Sequence, residues 1–117
     1  MATAEDLFMA LEQFVQRFNA NKLVKKMVRD WDRHIFISVT DLELASTVVV
    51  ADDAIKELVP GESGKKDISI IAPADVIIGI FTGKLNPAKE YAKGNVKFVG
   101  SPKDEMKVDA IIQYLWS

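Results

Sequence analysis

Cysteine is absent from the 117 residues, which excludes disulfides, thiolate nucleophiles and cysteine metal sites. Histidine is nearly absent: His34 stands alone, so it cannot build a metal cluster by itself, and no partner in its vicinity marks it as a general base. A charge of one sign is also missing. Fifteen basic and 17 acidic residues give a net charge of −2, with no overall pull on nucleic acid or an anionic surface, so no nucleic-acid partner is expected. No apolar run approaches the roughly 18 residues of a membrane span. The opening residues 1–6 carry acids where a signal peptide needs positive charge, and the closing Leu115-Trp116-Ser117 is not a peroxisomal address, so a cytoplasmic protein is expected. Internal repeats and low-complexity linkers are lacking too.

What is present is apolar. A hydrophobic fraction of 49% and a charged fraction of 27% describe a folded chain, and its length fits one domain over residues 1–117. Leu7, Phe8, Leu11, Phe14, Val15 and Phe18 recur at helical spacing and predict a helix over about residues 3–18, with three phenylalanines on one face. Asn19-Ala20-Asn21 reads as a stop and a new N-cap, followed by a second stripe of Leu23, Val24, Met27, Val28 and Trp31. Against that stripe stand Lys22, Lys25, Lys26 and Arg29, which read as a wet helix face that can also meet lipid headgroups in a transient membrane contact.

The period then changes from helical to alternating. Ile35, Ile37 and Val39 alternate with Phe36, Ser38 and Thr40, and residues 47–50 follow as the second arm of a hairpin. Further strands are predicted over residues 55–59, 68–71 and 96–99. Gly61-Glu-Ser-Gly-Lys-Lys66 lacks the spacing of a phosphate loop and has no hydroxyl residue after its lysine, so it reads as a solvated turn. Pro73 suits a first helical position, and Val76, Ile77, Ile78, Ile80 and Phe81 leave that helix almost no polar face. Such a helix must be buried or line an apolar space. Asn86 and Pro87 open another short helix, which Gly94 ends. Ser101-Pro102 opens a last one to about Leu115, with Met106, Ala110, Ile111, Tyr114 and Leu115 as its inner face.

The count predicts an α+β fold: a single five-stranded, largely antiparallel sheet covered on one face by about five helices. No nucleophile and base pair, metal cluster or cofactor loop is present, so no enzyme and no cofactor is expected.

One stretch carries a family resemblance. Asp67-Ile-Ser-Ile-Ile71, the apolar run to Phe81, Gly83-Lys84-Leu85-Asn86-Pro87 and Gly94-Asn95-Val96-Lys97-Phe98-Val99-Gly100 follow one another in an order that resembles the sterol carrier protein type 2 family. The likeness runs from the front helices to the closing helix. It departs at Asn95, where the family often has lysine, at Ser101, where an acid is frequent, and over residues 40–46, which lack the usual glycine. The resemblance implies that the sheet and helices enclose an apolar tunnel. It also implies a lipid-binding carrier of an acyl, sterol-like or isoprenoid lipid, a fatty acid included, with no chemistry of its own.

The expected tunnel lining is Phe8, Leu11, Val15, Phe18, Ile77, Ile80, Phe81, Tyr91, Met106, Ile111 and Leu115. Polar groups near its mouth would come from Tyr91, Tyr114, Asn86, Gln113, Lys84 and Lys89. The alternative is an interaction or accessory module with a filled core, forming a homodimer or binding another protein through Trp31 and Trp116.

Overall fold

The computed structural model describes residues 2–116, so the parts of the terminal readings that rest on Met1 and Ser117 lie outside the described residues. Two helices lead, α1 (Ala4–Ala20) and α2 (Lys22–Met27), followed by strands β1 (Arg33–Val39), β2 (Leu44–Ala51), β3 (Ala54–Pro60) and β4 (Ile68–Ala72). Helices α3 (Ala74–Phe81) and α4 (Pro87–Ala92), strand β5 (Lys97–Val99) and helix α5 (Pro102–Leu115) complete the chain.

The strands form one sheet in the order β3-β2-β1-β4-β5. Three of its pairings are antiparallel, and the central pair β1 with β4 is parallel. Largely antiparallel is therefore right, with a parallel seam at the centre. That seam exists because the chain leaves β3 at one edge and returns beside β1. Period-two alternation sets the faces: Ile35, Ile37 and Val39 are buried, as are Ile68, Ile70 and Ala72, while Phe36, Ser38 and Ser69 between them are only half-buried. The register aligns Ile35 with Val48 and Ile68, and Ile37 with Ile70, so one face of the sheet is a continuous apolar floor. Asp52 and Asp53, both with positive φ, make the two-residue turn between β2 and β3 that the strand twist favours.

Helix α1 begins with a reciprocal capping box between Thr3 and Asp6 and runs past the expected stop to Ala20. Asn19 is used differently from that expectation. Its side chain pairs with the β3 backbone, donating to Ile55 O at 3.0 Å and accepting from Ile55 N at 2.8 Å. Helix α2 is short, and Trp31 lies beyond its end. Pro73 stands at the cap of α3 rather than inside it, and Asp41 from the β1–β2 turn supplies the missing acceptor, taking the Ala74 N–H at 2.8 Å. After α3 the chain turns at Gly83, whose φ of 77° suits glycine and whose missing Cβ leaves room for the Trp116 side chain.

The closing helix is rolled relative to the expected stripe. Val108, Ile111, Ile112 and Leu115 point inward, whereas Met106 is 72% exposed and Ala110 and Tyr114 are exposed. Phe8 on α1 is likewise outside the core, at 39% exposure, while Phe14 and Phe18 are buried.

Candidate functional site

Apolar space lies where α4, α5 and β5 meet over the sheet. Asn86 caps α4 by accepting the Lys89 N–H at 3.0 Å, Pro87 occupies the first turn, and the helix presents Pro87, Ala88 and Tyr91 to the gap. From below come Ile70 of β4 and Ile80 of α3, from β5 and the residue before it Phe98 and Val96, and from α5 Met106, Val108 and Ile112. Together they enclose about 150 Å³. A dry apolar cavity of that size accepts a molecule about as large as benzene.

A second, much smaller void of about 10 Å³ lies deeper, among Phe14, Phe18, Trp31, Ile35, Phe81 and Ile111. Phe14 packs edge-on against Phe18 and Phe81, with ring centroids 5.9 and 4.9 Å away. Ile70 and Val108 line both spaces. The two spaces therefore have two aliphatic side chains in common, one from β4 and one from α5.

The expected lining residues divide into three sets. Ile80, Tyr91 and Met106 border the cavity, with Tyr91 and Met106 on its exposed rim. Phe18, Phe81 and Ile111 border the deeper void. Leu11, Ile77 and Leu115 are buried core that borders neither space, Val15 is half-buried, and Phe8 is on the surface. Sequence reasoning missed Ile70, Val96, Phe98, Val108 and Ile112. The alternation of Ile68 with Ile70, and the four-residue spacing of Val108 with Ile112, were the signals that could have found them.

The expected polar groups fare differently. Tyr91 is at the mouth, but Asn86 spends its side chain on the α4 cap, and Gln113 donates to Asp109 Oδ2 at 2.9 Å. Lys84 lines a separate groove, while Lys89 and Tyr114 border neither space. The charged groups that do line the mouth are carboxylates, Glu105 and Asp109.

One buried cluster fixes α5 beside this site. Asp104 accepts from Trp31 Nε1 at 2.8 Å and from Arg33 Nε at 3.0 Å, and its own N–H donates to the capping Ser101 hydroxyl at 3.1 Å. Burial alone would raise the Asp104 carboxyl, but the hydrogen bonds from Arg33 and Trp31, the Arg33 charge and the Ser101 hydroxyl outweigh it and hold the group below its ordinary value. Trp31 is therefore a buried hydrogen-bonded residue at 6% exposure. Trp116 is half-buried beneath the Arg17 guanidinium, 3.8 Å from its ring centroid. Trp31 is thus not exposed as an anchor for the interaction-module alternative, and Trp116 is exposed only in part.

A larger groove, about 780 Å³, runs between α1 and α3. It is wide open, and Asp6, Glu12 and Asp75 line it together with Met9, Ile78 and Lys84. A groove this open leaves an apolar tail in contact with water, so its volume alone does not mark it as a site for one. Elsewhere, His34 lies at the start of the central strand β1: its N–H donates to Asp67 Oδ2 at 2.9 Å and its carbonyl accepts the Asp67 N–H at 3.2 Å. Among the described residues no group of three or more histidine or acidic side chains could hold a metal ion, and no helix is long and apolar enough to cross a membrane.

Solved structures with this fold include sterol carrier protein domain 2 of Helicoverpa armigera, with a TM-score of 0.75, 16% identity, and coverage of 98% of this chain and 93% of that one. The ubiquinone synthesis protein UbiJ gives a TM-score of 0.73 at 13% identity, covering 89% of this chain and 90% of that one. A double mutant of the sec-alkyl sulfatase PisA1 gives 0.72 at 15% identity over 94% of this chain, which spans only 16% of the sulfatase. The same enzyme, from Pseudomonas sp., gives 0.63. At these identities the likeness is one of fold. No curated protein matches the chain in sequence. The family model described as the SCP-2 sterol transfer family matches residues 11–113, and by that match the chain belongs to this family.

Proposed function

We propose that this chain buries the tail of a lipid with an uncharged head, admits it between α4 and α5, and performs no chemistry on it. The observation that carries this reading is the apolar cavity that shares Ile70 and Val108 with a second void on the same face of the sheet. In the closed form the cavity holds roughly six carbons, worth about 5 kcal/mol gross at about 0.8 kcal/mol per methylene. A longer tail advances when Ile70 and Val108 change rotamer, passing Phe18, Phe81 and Ile111. Leu11, Ile77 and Leu115 support the walls from behind. Membership of a lipid-binding, sterol-transfer family agrees with this use of the space.

The head chemistry follows from the rim. Glu105 and Asp109 would repel an ionised carboxylate at the mouth, while they accept hydrogen bonds from a hydroxyl or amide. Alcohols and N–H amides, which can donate to these carboxylates, therefore fit better than free fatty acids.

Calorimetric titration with dodecanol and dodecanoate tests both parts. Dodecanol binds more tightly at neutral pH, and Ala88→Phe, which fills the mouth from an exposed helix position, weakens it about tenfold with an unchanged melting temperature. A folded Ala88→Phe protein with unchanged dodecanol affinity would exclude this cavity. Equal affinity for the acid and the alcohol would remove the head preference.

A further inference from the structure

Tyr91, Glu105 and Asp109 are the polar side chains in the wall of the apolar cavity, and they are not equivalent. Tyr91 is 49% exposed, so a ligand bond there would replace one to water and discriminate little. Asp109 differs. One of its carboxylate oxygens, Oδ2, accepts from Gln113 Nε2 at 2.9 Å, while the other, Oδ1, is buried with no donor among the described residues. Neither Asp109 nor Glu105, which stands four residues earlier on the same helix face, forms an ion pair among the described residues. Like charges at that spacing destabilise a helix, and an unmet buried acceptor destabilises further. Both costs fall in the wall of the cavity.

We propose that Asp109 Oδ1 is the atom that selects the ligand. It takes one hydrogen bond from the head of a long-chain alcohol or N–H amide, and it disfavours esters, ethers and hydrocarbons, which offer no donor. This rests on the lipid-burial reading and deepens it, assigning the head contact to a single acceptor and setting the ligand class by its donor. The position on α5 suits the role. Met106, Asp109 and Ile112 follow at three-residue spacing and all line the cavity, with Met106 exposed and Ile112 buried. Asp109 therefore stands between the open rim and the closed end, at the depth where a head stops and a tail begins. The Gln113 bond to Oδ2 fixes the carboxylate plane, so Oδ1 is held in one orientation.

The full chain is titrated calorimetrically with dodecanol and with dodecyl methyl ether. Burial alone favours the ether, which has one more carbon, so a preference for the alcohol reports the hydrogen bond. The parent protein binds dodecanol about tenfold more tightly than the ether. Asp109→Leu, which replaces the carboxylate by an apolar side chain of similar size, loses that preference and binds the ether at least as well as the parent does. Glu105→Leu keeps the preference. NMR of the Asp109 carboxyl carbon in the parent protein needs no variant to fold: the signal shifts with dodecanol and not with the ether. Equal affinity of the parent for both ligands, loss of the preference in Glu105→Leu and not in Asp109→Leu, or an Asp109 signal that responds alike to both would overturn the assignment and leave lipid burial standing. Failure of both ligands to bind would overturn lipid burial and this assignment with it.

Discussion

Helix α1 and the α4–β5 corner close two parts of the same fold by different means. The first is a 17-residue helix with a capping box at its start and an asparagine bonded into β3 near its end, and it buries Leu7, Leu11, Phe14 and Phe18. The void beside it, about 10 Å³, has at most the room of one water. The second is a six-residue helix and a three-residue strand, held by the Asn86 cap and the Glu90–Asn95 bond, above a cavity of about 150 Å³. Helices of six residues have little stability of their own, so this corner depends on its caps and on few apolar contacts. The contrast predicts a rigid wall at one end and easier local opening at the other.

The largest test of that contrast removes the wall. Phe18→Ala leaves a hole in packed core and costs about 3–5 kcal/mol in denaturant unfolding. Met106→Ala at the rim changes stability by less than about 0.5 kcal/mol, since its side chain is exposed. Comparable losses at both sites would erase the distinction between the two ends.

A smaller effect comes from the pin between them. Asp104→Asn weakens the acceptor of both Trp31 and Arg33 and costs about 2 kcal/mol at neutral pH. The folded carboxyl titrates below its unfolded value of about 4, so the native protein gains from this ion pair above that pH and loses the gain as pH falls through the lowered folded value. The variant should therefore approach the parent in stability as both are acidified. A gap that widens in acid would show that the Asp104 charge is not what stabilises α5.

The smallest effect is in fluctuations. Native-state hydrogen exchange should release the α4 and β5 amides through local opening, at free energies well below those of Ile37 and Val48 in the central strands. Exchange of all these amides at one common free energy would make the corner part of the global unit.

The legible and illegible parts of the chain divide along the same line. Short-range periodicity set the element types: the three-four spacing of Leu7, Leu11, Phe14 and Phe18, the alternation of Ile35, Ile37 and Val39, and the Asn86-Pro87 start each act within one or two turns of chain. The short order from Asp67 to Gly100 carried the family. The lining was only partly readable. On α5 two apolar stripes compete, one through Met106, Ala110 and Tyr114 and one through Val108 and Ile112, and both include Ile111 and Leu115.

Asp104 decided between those stripes. Its bonds to Trp31 and Arg33, more than 70 residues away in sequence, set the roll of the helix and turned Val108 and Ile112 inward. The same holds for the parallel β1–β4 seam, which needs the chain to cross from one edge of the sheet back to its centre. The sequence by itself determined helices, strands, an apolar surplus and the family. Only the tertiary structure decided which apolar faces close into core, where they leave a cavity and which charged groups stand at its mouth. Those outcomes depend on contacts between distant segments competing for the same sheet, and no local pattern contains that competition.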